Sequence, residues 1–168
     1  MIQDKHLSRA YFTWDWLCIL ITLCVSIILL GVVLFVWVDS PSWVHWYLGI
    51  FLIPALVGVI AICPVYIERR GQSLFLRCLL YKHTFNLEQC RSITPMEGAI
   101  LSGAIRSFGS GGFFGYTGYW WSKQHGHFVL YTCHRRQPTL ELITTKGRKY
   151  IIACPHDLVS DYLEPRAI

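Results

Sequence analysis

The chain has 168 residues, of which 54% are hydrophobic and only 15% charged, with a formal net charge of +5 at pH 7. The charge deficit sits in the first third, since from Val65 onward thirteen Lys/Arg stand against seven Asp/Glu. About 100 residues there suffice for one small domain with its own core but not for two, and seven cysteines at positions 18, 24, 63, 78, 90, 133 and 154 without any CxxC spacing argue against a disulfide framework.

A short polar lead-in covers residues 1–13, and two uncharged apolar runs follow at 17–38 and 46–65. At about 1.5 Å rise per residue each is long enough to span the roughly 30 Å hydrocarbon core of a bilayer. The few residues between them, Asp39-Ser40-Pro41-Ser42 and their neighbours, force a hairpin. The first run is too long for a signal-peptide core, lacks a small-x-small cleavage site and is followed at once by a second span. Lys5 and Arg9 precede the first run, the turn to His45 has no Lys or Arg, and Arg69-Arg70 follow the second. Positive residues mark the cytoplasmic side, so the expected topology is N-in and C-in, with the C-terminal part in the cytoplasm. Trp14, Trp16, Trp37, Trp43 and Trp46 fall at interface depths. Pro54 lies inside the second run, where it removes a backbone hydrogen bond, and neither run holds an ionisable residue of the kind a transporter needs at depth. The pair reads as an anchor.

After Pro64 the pattern changes to short strands, expected at 65–68, 73–80, 81–85, 91–95, 119–121, 128–133, 139–144 and 149–153. Residues 97–118 carry seven glycines among aromatics, too many for one regular element. The connectors at 123–126, 134–138 and 146–147 are hairpin-sized, and Leu142-Ile-Thr-Thr-Lys-Gly-Arg-Lys-Tyr-Ile-Ile is the clearest hairpin signal. A short helix is expected at 158–163 with Asp157 as N-cap. Seven or eight short antiparallel strands ending in a helix suggest a small barrel capped at one end. The expected division is an anchor over residues 1–66 and a domain over 67–168, and a fragment starting near Val65 should fold by itself.

Arg106-Ser-Phe-Gly-Ser-Gly-Gly-Phe-Phe-Gly-Tyr-Thr-Gly-Tyr-Trp, Gly126-His-Phe-Val-Leu-Tyr-Thr-Cys and the segment from Leu142 to Ile152 together resemble the bacterial PH-like (pleckstrin-homology-like) domain family. The resemblance covers about residues 65–163, with Cys154-Pro155-His156-Asp157 standing where that family places Ser-Pro-x-Asp. It implies a two-helix transmembrane hairpin followed by a small mainly-β PH-like barrel with a short C-terminal helix. It implies no reaction.

Candidate chemistry is sparse. Gly109-Ser-Gly-Gly lacks the lysine and the following helix of a phosphate loop. His125-Gly-His127 and Cys133-His134 could be written as metal ligands, yet they flank a turn with no carboxylate close in sequence. No GxSxG or HExxH is present. The cysteines outside the spans read as buried thiols, with Cys78 and Cys90 able to be neighbours on adjacent strands. Arg69-Arg70, Arg135-Arg136 and Lys146-Arg148-Lys149 form three basic clusters which, with Trp120 and Trp121, are candidate contacts to an anionic membrane surface or ligand. The reading is a non-enzymatic membrane-anchored interaction module without a cofactor. Its expected partners are the bilayer and a protein, another chain or a second copy, rather than nucleic acid. A lipid-sensing adaptor is the alternative and a small membrane enzyme the distant one. A lipid binder should gather its cations round one rim, whereas a protein binder should expose an apolar strand edge.

Overall fold

The computed structural model describes residues 9–39, 41–96 and 100–163. Lys5, Ser40, Gly98 and Glu164, which enter the sequence reading, lie outside the described residues. Two long apolar helices are followed by a mainly-β domain of two sheets and a short C-terminal helix.

Helix α1 (Trp16–Asp39) covers the first apolar run and helix α2 (Ser42–Ala61) most of the second, whose last residues, Pro64 and Val65, enter a strand instead; both helices are long and apolar enough to cross a membrane. Helix α2 begins earlier than the apolar run, because Pro41 at its N-cap leaves no amide to satisfy and sets the backbone for a helix start. His45 therefore lies in its first turn, bonding Val36 O at 3.0 Å and stacking on Trp37 at 5.0 Å, which closes the outer end of the hairpin.

The first sheet has the order β1-β2-β3-β4 and is antiparallel throughout. Its strands are β1 (Arg9–Tyr11), β2 (Pro64–Arg70), β3 (Ser73–Cys78) and β4 (Lys82–Asn86). Strand β1 falls in the polar lead-in, where no strand was expected: Arg9 pairs with Glu68 and Tyr11 with Tyr66, so part of the chain before the hairpin joins the sheet after it.

The second sheet has the order β5-β9-β10-β8-β7-β6. Here β5 is Cys90–Met96, β6 Ala104–Gly111, β7 Tyr116–Ser122, β8 Gly126–Thr132, β9 Thr139–Thr144 and β10 Lys149–Ala153. Strand β6 lies within the glycine-rich stretch expected to be irregular. It forms because Gly109 and Gly118 face each other across the β6–β7 pair, where a β-carbon on either would meet backbone carbonyl oxygen at 2.1 and 2.3 Å. The glycines permit the close approach. A second departure is the parallel pairing of β8 with β10. The connector 134–138 is therefore no hairpin: β10 inserts between the strands it joins, with Cys154 N–H on Pro138 O at 3.1 Å. Two separate sheets result among the described residues, not one closed barrel.

The sheets enclose a core of Ile67, Leu74, Leu76, Phe85, Leu140, Leu142 and Ile152. A second cluster on the opposite face of the six-stranded sheet joins Tyr116, Trp120, Phe128, Leu130 and Ile151 to Cys18 of α1. Residues expected as one terminal helix divide into a 3-10 turn (His156–Val159) and a single turn α3 (Ser160–Leu163), and Asp157 does not cap it, since Pro155 holds the cap position without a side-chain bond. Cys78 and Cys90 fall in different sheets.

Candidate functional site at the junction of helix and domain

Asp15 is the centre of the most densely bonded polar site in the described structure. It immediately precedes α1, and its Oδ1 accepts the Cys18 amide at 2.7 Å, an N-cap for a helix end whose first amides have no partner inside the helix. Its Oδ2 accepts Arg135 Nε at 2.9 Å and the Arg135 amide at 3.3 Å, while the Tyr116 hydroxyl approaches Oδ1 at 3.4 Å. The Asp15 side chain is only 6% exposed. Burial works against its charged form, but the hydrogen bonds from the Cys18 amide and from Arg135 prevail and hold the carboxyl below its ordinary range. The same burial, with Asp15 beside it, pushes the Tyr116 hydroxyl up to about 12.

One turn further along α1, Thr22 is buried. Its hydroxyl lies 2.7 Å from Cys18 O and 3.2 Å from Gly112 O, and accepts the Phe114 amide at 3.1 Å. Gly112, at φ +120°, lies so close to α1 that a β-carbon there would stand 2.6 Å from Ile21 Cδ1. Trp14 meets Phe114 edge to face at 5.8 Å, and the Asp15 amide donates to Cys133 O. The glycine-rich β6–β7 connection is thus a collar on the first two turns of α1.

The basic clusters are scattered and largely engaged. Strand β2 carries Arg69 and Arg70 about 20 Å from its start at Pro64, by the rise of a strand. They do not sit at the end of α2 as their sequence position suggested. Arg69 bonds Leu158 O at 2.9 Å and Asp161 at 3.0 Å, tying the C-terminal turns to β2. Arg70 and Arg9 hold the Glu68 carboxylate, itself 1% exposed, at 2.7 and 3.0 Å. Arg135 belongs to the junction, and Arg136 beside it is exposed. Lys146 and Arg148 are exposed in the β9–β10 turn, at the end of the sheet remote from the junction, and Lys149 pairs with Glu141 at 3.1 Å. Trp120 is buried in the second cluster, whereas Trp121 is 38% exposed.

Trp121 belongs instead to an apolar surface completed by Ile105 and Phe108 of β6, which sequence reasoning did not single out. Strand β6 is the outer strand of its sheet. Ile105 (63% exposed) is registered with Trp121, and Phe108 (75%) with Tyr119 (60%). Alternation along β7 puts Trp120 inside and its two neighbours outside.

Tertiary contact supplies the carboxylate that the histidines lacked in sequence, as His125 lies 3.7 Å from Glu141, yet no group of three His, Cys, Asp or Glu able to hold a metal occurs among the described residues. A cleft of about 50 Å³ between β1 and the 137–138 and 153–155 segments is small beside the roughly 300–1,000 Å³ of a typical ligand pocket. The cysteines are free thiols. Compared with family models, curated proteins and solved structures, the chain matches none.

Proposed function

We propose that this chain is a non-enzymatic, membrane-anchored interaction module, N-in and C-in in a bacterial inner membrane, whose cytoplasmic PH-like domain is one subunit of a membrane assembly. The observation that carries the reading is the exposed apolar ladder of Ile105, Phe108, Tyr119 and Trp121 on the outer strand pair of the six-stranded sheet. An apolar strand edge of this kind marks a protein-binding surface. A lipid-sensing adaptor would gather its cations around one rim. Here Arg69, Arg70, Arg135 and Lys149 are spent on internal pairs, and Lys146 and Arg148 lie at the end remote from the anchor. Two sheets followed by short C-terminal turns support the PH-like assignment, with the parallel β8–β10 pair as its departure from a simple meander.

A photoreactive residue at Phe108 of the full chain in native membranes tests this. The expected result is a discrete protein adduct, abolished by Tyr119→Asp, with the same probe at Arg148 giving none. Mixing two differently tagged copies identifies whether the adduct is a second copy. Adducts to lipid alone, or no adduct, would overturn the protein-binding reading.

A further inference from the structure

We infer that the domain is seated in the bilayer interface by two turns, Leu79-Leu80 and Phe113-Phe114, one beside each helix. The inference rests on the hairpin crossing a membrane.

Leu79 and Leu80 connect β3 to β4 and are 49% and 63% exposed. Turn positions facing water favour Gly, Asn, Asp, Ser or Pro, and two consecutive leucines satisfy none of those reasons. Their amides bond Cys63 O at 3.0 Å and Ala61 O at 3.4 Å. The turn therefore engages the carbonyl of Ala61, the last residue of α2, which lacks a partner inside the helix, and that of Cys63 just beyond it, and stands level with the helix end.

Phe113 and Phe114 connect β6 to β7 next to Gly112, which lies against Ile21 of α1, and the Phe114 amide bonds the Thr22 hydroxyl. Helix α1 has 24 residues and α2 has 20, so α1 is longer by about 6 Å at 1.5 Å per residue. Counted from the outer end of the hairpin, the level of Ala61 in α2 is that of Leu20 in α1. The two turns, distant in sequence and in different sheets, thus arrive at one depth. That depth is about 30 Å from the outer end, where the hydrocarbon core stops. Exposed Trp14 and Trp16 lie just beyond it, as interfacial aromatics do.

Backbone bonding of the Phe113-Phe114 turn points the same way. The Gly112 amide bonds Gly115 O at 3.0 Å, Ser110 Oγ donates to Phe113 O, and the Phe114 amide and Gly112 O are both met by Thr22. A turn facing bulk water has no need to close its polar groups internally, whereas one at the edge of the hydrocarbon does. Asp15 and Arg135, the ion pair at the start of α1, neutralise each other, and the cation next to the turn is Arg106, whose guanidinium lies against Gly111.

The test uses the full chain in nanodiscs of phosphatidylcholine and phosphatidylglycerol, in a Cys24→Ala background. Nitroxide labels replace Leu80, Phe113, Lys146 or Ile50 one at a time, and collisions with oxygen and with a water-soluble nickel chelate report depth. Leu80 and Phe113 are expected ~5–10 Å inside the headgroup boundary, with Ile50 deep and Lys146 aqueous. A second label at Leu79 guards against local disruption at Leu80. Nickel accessibility at Leu80 or Phe113 equal to that at Lys146, with Ile50 still deep, overturns the seat and leaves the hairpin reading intact. An aqueous Ile50 overturns the hairpin reading and the seat with it.

Discussion

Helices α1 and α2 are both apolar enough to cross a membrane yet are joined to the domain in different ways. The domain grips α1 through side chains: Asp15, Cys18 and Thr22 are buried against Arg135, Tyr116 and the Gly112–Phe114 turn. It meets α2 through backbone, the Leu79 and Leu80 amides bonding carbonyls at the helix exit, and among the described side chains of α2 none is fully buried. A side-chain junction depends on residue identity, while a backbone junction tolerates any sequence that keeps the path. Helix α1 is therefore the coupling element, and α2 mainly returns the chain to the domain.

The comparison is broken most directly at Asp15. Replacing it with alanine removes the cap and leaves Arg135 and Tyr116 without their acceptor, so Asp15→Ala should lower the stability of the domain by about 2–3 kcal/mol in thermal unfolding of the full chain. Asp15→Asn keeps an oxygen for the cap and should lose about half as much. Gly112→Ala follows, at about 2 kcal/mol, because alanine is strained at φ +120° and its methyl group would collide with Ile21. Loss of Trp14–Phe114 contact, read by fluorescence, should accompany it.

Acid gives the same answer without mutation. The folded Asp15 carboxyl titrates below its unfolded value, so its stabilisation is complete above about pH 4 and disappears as pH falls through the lowered folded value. The stability gap between the native chain and Asp15→Asn should be constant from pH 7 to pH 5 and close below about pH 4. Thr22→Val should cost about 1 kcal/mol, the worth of the hydroxyl bridging Cys18 O and the Phe114 amide. The smallest effect belongs to α2. Pro54→Ala should leave domain unfolding unchanged within about 0.3 kcal/mol, since Pro54 is distant from every group of the junction. A large effect of Pro54→Ala beside a small one of Asp15→Ala would reverse the assignment of roles.

The lead-in also changes what a truncated protein should do. A fragment beginning near Val65 keeps both sheets' later strands but loses β1, the Arg9 partner of Glu68, and the Cys18 contribution to the second cluster. Retaining residues 9–22 matters more to the domain than retaining α2.

The amino-acid sequence by itself determined the two helices, the turn between them and the strands β9 and β10, whose bounds coincide with the expected ones. Each rests on contiguous residues: an uncharged run long enough for a bilayer, or alternating apolar residues around Lys146-Gly147 with Gly147 at φ +75°. Only the tertiary structure decided the rest. Strand β1 exists because β2, some fifty residues later, offers it a partner. Strand β6 exists because Gly109 and Gly118 let two backbones approach. Arg135 was read as a surface cation, and Asp15 is only one of three acidic residues before Val65. Their 2.9 Å pairing, across 120 residues of chain, gave both another task. Sequence pattern reports the free energy of local conformation and of burial in water or lipid. It carries no record of which distant group will neutralise a given charge, and in this protein that choice fastens the domain to its anchor.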